Sequence, residues 1–204
     1  MKPLSISFYR QTDVVDIAAQ LLGKVLHTRW DNEHCCARIV ETEAYNGVVD
    51  KASHAYGHRR TNRTETMYAA GGIAYVYLCY GMHHLFNVVT GKKDVPQAVL
   101  IRAAEPMFGI EHMLERRNKK QLDATLTKGP GSLAQAMGIH TLHSGESLTG
   151  QQIWIADDGF SYDASSIIAT PRIGVDYAGE DALLPYRFIV KGNKFVSGKT
   201  AQNR

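Results

Sequence analysis

The chain has 204 residues, of which 44% are hydrophobic and 21% charged, with a formal net charge of +3. Those values lie near soluble-globular averages, which argues against a disordered or fibrous chain and predicts one compact domain. No run approaches the roughly 18 apolar residues of a membrane helix, and polar and acidic residues interrupt the N-terminal MKPLSISFYRQTDVVD where a signal peptide would be apolar. Residues 12–22 carry Val14, Ile17, Ala18 and Leu21 at helical spacing before Gly23, so a helix is predicted there. Strands are predicted over 24–30 and 36–43, around the turn Asp31-Asn32-Glu33. A polar, basic loop runs from Asn46 to Glu65. The β-branched and aromatic runs IAYVYLCY (73–80) and LFNVVT (85–90) predict a hairpin with its tip near Tyr80 to His83. QAVLIR (97–102) reads as a strand, and Pro106 is placed at the start of a helix of about 12 residues. Gly129-Pro130-Gly131-Ser132 reads as a turn feeding the short helix LAQAM, and QIWIA and YRFIV as late strands. Hairpin-length gaps alternating with helices favour α+β over a regular βαβ series.

Several apparent motifs lack the context their chemistry needs. Gly198-Lys199-Thr200 resembles the end of a phosphate loop, but Gly192 lies one position too far away and only four residues follow where a helix should begin. His54 and His58 are four apart, yet Gly57 separates them and no Glu adjoins His54. His83 and His84 would point to opposite sides of a strand. The three cysteines include the adjacent Cys35 and Cys36, which lack zinc-site spacing. They make no disulfide framework and suit a reducing, intracellular compartment. Metal catalysis is the weaker reading, and no metal or cofactor is assigned.

Two segments carry more. In IVETEAY, residues 39, 41, 43 and 45 would share one face of a strand, placing Ile, Glu, Glu and Tyr together. Two acids and a phenol are expensive to bury without a purpose. The face is either a solvated edge or the seat of a general acid or base. In YVYLCYGMHHLFN, Tyr75 and Tyr77 point one way, and Tyr80 beside Gly81 sits at the tip as an exposed aromatic. Such a hairpin is either sheet packing or a wedge able to pry bases apart. Arg59, Arg60 and Arg63 form a basic cluster able to meet phosphates or simply remain solvated.

These segments resemble the alkyladenine DNA glycosylase family, the 3-methyladenine glycosylases. The similarity runs from SFY near residue 7 to RFIVKGNKFVS at 187–197. It is densest in VETEAY, Ser53-His54, YVYxxYGM, VLIRAAEP, GPG-x-L and PRIGVDYAGE. The resemblance implies a single catalytic domain spanning 1–204, with a mostly antiparallel, curved, open-barrel-like sheet, surrounding helices and a protruding hairpin. It also implies a monomeric, monofunctional enzyme that flips alkylated or deaminated purines out of double-stranded DNA and hydrolyses the N-glycosidic bond with water. By resemblance, Glu43 is the general base and Arg102 lies near the nucleophilic water and target phosphate. Tyr45, His54 and Tyr77 grip the flipped base, and Asn87 discriminates against groups such as the exocyclic amine of guanine. The Ile173 carbonyl contacts water, and Tyr80 fills the gap left in the duplex. Arg59, Arg60 and Arg63 are candidate backbone contacts. No lysine stands at a matched position for a Schiff-base lyase, Lys51 reading as a surface or phosphate contact. The alternative is a non-catalytic binder of damaged DNA on the same scaffold, for which a carboxylate at Glu43 would be a cost.

Overall fold

A computed structural model describes residues 1–198; Lys199 and Thr200, which complete the phosphate-loop-like segment, lie outside the described residues. Strand β1 (Lys2–Pro3) and the short helix α1 (Ile6–Tyr9) lead into α2 (Val14–Gln20). Helix α2 starts where the Asp13 carboxylate accepts from the amides of Val15 and Asp16, satisfying two donors that the first turn leaves unpaired. Val14, Ile17 and Ala18 then turn inward, as their spacing predicts.

Strands β2 (Val25–Trp30) and β3 (Glu33–Tyr45) form a hairpin around Asp31 and Asn32. Strands β4 (Ala74–Cys79) and β5 (His83–Thr90) form the second, with Tyr80, Gly81 and Met82 between the last paired residues Cys79 and His83. Tyr80 and Gly81 have φ of +51° and +71°, so the tip turns through left-handed backbone at two successive residues. Strand β6 (Gln97–Phe108), helices α3 (Ile110–Arg116) and α4 (Pro130–Ala136), and strands β7 (Ile153–Asp157), β8 (Ile167–Thr170) and β9 (Arg187–Val190) complete the fold. Every strand pairing is antiparallel, and the main order is β1-β7-β2-β3-β6-β5-β4. The path ends on separate strands, so the sheet is open and the class is α+β, as expected.

Pro106 does not open a helix. Strand β6 continues through it to Phe108, and α3 begins only after Gly109, whose φ is +69°. Strand β5 pairs with β6 only as far as Leu100, so further along β6 a proline can sit beside an unpaired edge without costing a ladder bond there. The resulting helix has seven residues. Strands β1 and β8 and helix α1 are too short to leave a periodic pattern, and the sequence reading missed them.

Strand β3 organises the site. It pairs with β2 over Glu33–Arg38 and with β9 over Glu41–Glu43, while β6 stays on its other side. Register shifts against β6 flank Glu41. Ile39 and Val40 therefore both enter the main core, and the expected shared face of 39, 41, 43 and 45 loses Ile39. That core packs α2 and α4 against β3, β5 and β6. A second cluster, with Met67, Tyr68, Tyr75, Val89 and Ala98, occupies the opposite face of β5 and β6 under the 46–73 loop. The candidate pocket opens on that second side.

Candidate active site

At Glu41–Glu43, strand β3 lies between β6 and β9, so both of its edges are paired there. Glu41 and Glu43 are both 0% exposed, which excludes the solvated edge. Burying two carboxylates requires donors and opposite charge. Arg102 on β6 supplies both, donating from Nε to Glu41 at 2.8 Å and from Nη1 to Glu43 at 3.2 Å. Glu43 also accepts from the Tyr45 hydroxyl at 2.9 Å and from the backbone N–H of Ile173 at 2.8 Å. Three donors thus hold one carboxylate. Burial pulls the Arg102 pKa down, but the carboxylates of Glu43 and Glu41 outweigh it and hold the guanidinium above its ordinary value. Burial, then the neighbouring Glu43 charge, drives the Tyr45 phenol well above its ordinary value, so its hydroxyl keeps its proton and donates.

Over this floor lies a cavity of about 590 Å³, bordered by Tyr45, His54, Tyr75, Tyr77, Asn87 and Arg102 among others. Tyr75 and Tyr77 project from alternate positions of β4, with ring centroids 5.5 Å apart. The His54 ring meets Tyr77 edge-on at 4.7 Å, and its Nδ1 lies 3.0 Å from the Tyr75 hydroxyl. Burial, aided by the Arg63 and Arg59 charges, lowers the His54 pKa to about 4, so the imidazole is neutral near pH 7. Asn87 donates its amide to the carbonyls of Tyr75 and Leu85, which pins the side chain to the pocket wall.

Ile173 borders the cavity, and its N–H is spent on Glu43, a contact the sequence reading did not include. Tyr80 stands at the mouth and is 87% exposed. The three arginines divide. Arg60 is engaged by Glu65 at 2.6 Å and Asp94 at 3.0 Å. Arg63 lies over the Tyr77 ring at 4.8 Å and so forms part of the pocket wall. Arg59 is exposed and has no carboxylate within ion-pair distance among the described residues. Lys51 pairs with Glu180 at 2.6 Å on the surface.

The sequence reading missed three arms of the support. Arg187 is buried on β9 and donates to Glu41 at 2.8 Å. Ser197 donates to Glu41 through its amide at 2.6 Å and its hydroxyl at 2.9 Å. Arg172 pairs with Asp50 through both guanidinium nitrogens, donates to the Ala44 carbonyl and lies over the Tyr45 ring at 4.9 Å. The available signal was a lone cation in an apolar strand, the Arg of YRFIV, matched to the lone acids of VETEAY. Among the described residues, no group of three or more His, Cys, Asp or Glu side chains is arranged to hold a metal.

A carboxylate held by donors under aromatic walls suits an enzyme doing acid–base chemistry on a flat ring. Residues 7–194 match the family described as methylpurine-DNA glycosylase (MPG), and the chain belongs to that family of DNA glycosylases, enzymes acting on N-glycosyl bonds in DNA. A Desulfitobacterium hafniense protein named "Putative 3-methyladenine DNA glycosylase" is 45% identical over 98% of this chain and 100% of its own length. Proteins of the same name from Chlamydia felis and Clostridium perfringens are 47% and 44% identical, covering 92% and 96% of this chain and 96% and 99% of their own.

Proposed function

We propose that this chain excises alkylated or deaminated purines, the 3-methyladenine, 7-methylguanine, hypoxanthine and ethenoadenine class, from double-stranded DNA by hydrolysis. The damaged nucleotide rotates out of the duplex, at a cost of a few kcal/mol that a weakened pair reduces. Tyr80 enters the gap, and the base slides between Tyr45 and Tyr77. A cationic alkylated purine gains there from electron-rich rings. His54, neutral, hydrogen-bonds toward the base or its sugar-phosphate, and Asn87 rejects bulk at the position of the guanine amine.

The glycosidic bond breaks with its electron pair leaving on the base, through an oxocarbenium-like sugar that the Glu43 anion stabilises. Glu43 then takes a proton from the water that adds to the sugar carbon. Glu43 Oε2 already accepts from Tyr45 and Arg102, whereas Oε1 accepts from the Ile173 amide alone among the described residues, so the water is taken at Oε1. No lysine lines the cavity among the described residues, so the reaction ends at the abasic site without strand cleavage. The three free cysteines fit action inside the reducing cell.

The carrying observation is Glu43, a fully buried carboxylate under the aromatic pocket with Arg102, Tyr45 and Ile173 donating to it. A protein that only binds damaged DNA gains nothing from that cost. Glu43→Gln is expected to bind duplex DNA carrying an abasic-site analogue as wild type does. It should lose base release by at least about 100-fold in single-turnover assays, the low end for a general base. Near wild-type excision by this variant rejects the reading.

A further inference from the structure

The floor of the pocket holds more charge than the reaction uses. Glu41 and Glu43 face the same side of β3, and Arg102 is divided between them. With Arg102 alone, this buried cluster would carry a surplus negative charge, and one carboxylate would tend to take up a proton. The second cation is Arg187, 1% exposed, which donates from Nε to Glu41, from Nη1 to the Thr170 hydroxyl at 3.3 Å and from Nη2 to the Ser197 carbonyl at 2.6 Å. Arg187 does not border the cavity, and its contacts run to Glu41 and not to Glu43. The charges alternate in space: Arg187, Glu41, Arg102, Glu43.

We propose that Glu41 and Arg187 are positioning residues for base excision: together they aim Arg102 and keep the floor neutral, so that Glu43 remains an anion although fully buried. Every titratable or charged group facing Glu43 among the described residues fits this account. Strand β3 supplies Glu41 and the Tyr45 phenol, β6 supplies Arg102, and β4 supplies the Tyr77 phenol. The segment after β8 supplies Arg172, already neutralised by Asp50 at hydrogen-bond distance, and the Tyr177 phenol. Burial raises the pKa of Tyr45, Tyr77 and Tyr177, so all three stay uncharged near neutrality. Among the described residues, the net charge around Glu43 is thus set by Glu41, Arg102 and Arg187.

The proposal rests on Glu43 as the general base, and its test separates the two. Single-turnover release of hypoxanthine from duplex DNA is followed along the acid limb of the pH–rate profile. Glu41→Gln removes an anion, so Glu43 holds its charge further into acid and the limb moves down by about one pH unit, the lower end for a close charge. Arg187→Gln removes a cation, and the limb moves up by a similar amount. The double variant is neutral again, and its limb returns toward wild type; it and Glu41→Gln keep the test alive if Arg187→Gln fails to fold. Arg187→Lys keeps the charge and therefore the limb, even with a lower plateau. Limbs that stay in place while rates fall, or that move the same way in both single variants, overturn the proposal. If those limbs fail while Glu43→Gln is inactive, only the positioning role is rejected. An active Glu43→Gln rejects the base assignment itself.

Discussion

The floor of the pocket and the tip of the β4–β5 hairpin belong to one sheet but follow opposite physical rules. At the floor, Glu41 and Glu43 are 0% exposed and their oxygens are supplied by arginine, serine, tyrosine and backbone donors. At the tip, Tyr80 is 87% exposed and Met82 69%, beyond the last paired residues of the hairpin. Buried charge demands that every partner be in place before folding is complete, so the floor is organised without substrate. An exposed aromatic has no partner to keep and is free to take one from outside. On the proposed function, chemistry and DNA engagement fall to regions that can be broken separately.

The largest effect is expected from the supports of the floor. Asp50→Asn leaves Arg172 charged and buried without its carboxylate, which should cost about 3–5 kcal/mol of stability, read as a lower urea midpoint. Because Arg172 adjoins Ile173 and lies over Tyr45, both donors to Glu43, excision should fall as well. An unchanged midpoint would show that the pair is not part of the rigid floor.

A smaller and conditional effect is expected at the tip. Tyr80→Ala should lose about 1–3 kcal/mol in stabilising the extruded nucleotide, by analogy with base–aromatic stacking. The loss should shrink when hypoxanthine sits in a mismatch or bulge, where unpairing is already cheap. Tyr77→Ala should impair excision in every context, because the pocket wall is missing however the base arrives. Equal damage in paired and mismatched duplexes for Tyr80→Ala would move that residue from the tip's role to the pocket's.

The smallest effect separates the arginines. Arg59→Ala should make the slope of log affinity against log salt shallower by about one unit. Arg60→Ala should leave it nearly unchanged, since Glu65 and Asp94 already engage that guanidinium. A slope change for Arg60 as large as for Arg59 would show that DNA displaces those carboxylates.

Much of the architecture was legible because local chemistry and tertiary packing agreed. Asp13 with Val14, Ile17 and Ala18 marks α2, and the aromatic runs around Tyr80-Gly81 mark the hairpin and its tip. Pro106 misled because helix-start chemistry is a local signal, whereas its tolerance in β6 depends on where β5 stops pairing. Glu43, Tyr45, His54, Tyr77, Asn87 and Arg102 were named from motif resemblance, and the fold brings them to one cavity floor and wall. Arg187 and Ser197 escaped because they lie 146 and 156 positions from Glu41, and no local pattern encodes a contact of that separation. The grouping of the three arginines was equally blind to the acids at Glu65 and Asp94, one of which is 34 residues from Arg60.

Tyr80 adopts φ of +51°, a conformation costing a side-chain-bearing residue about 1–2 kcal/mol, and it also leaves its ring in water. Glycine or asparagine there would relieve both penalties, and at 87% exposure Tyr80 has little packing to lose. A thermostabilisation screen scored on melting temperature alone should therefore enrich replacements of Tyr80 early. Persistence of a tyrosine at that position under mutational drift marks selection for something other than folding.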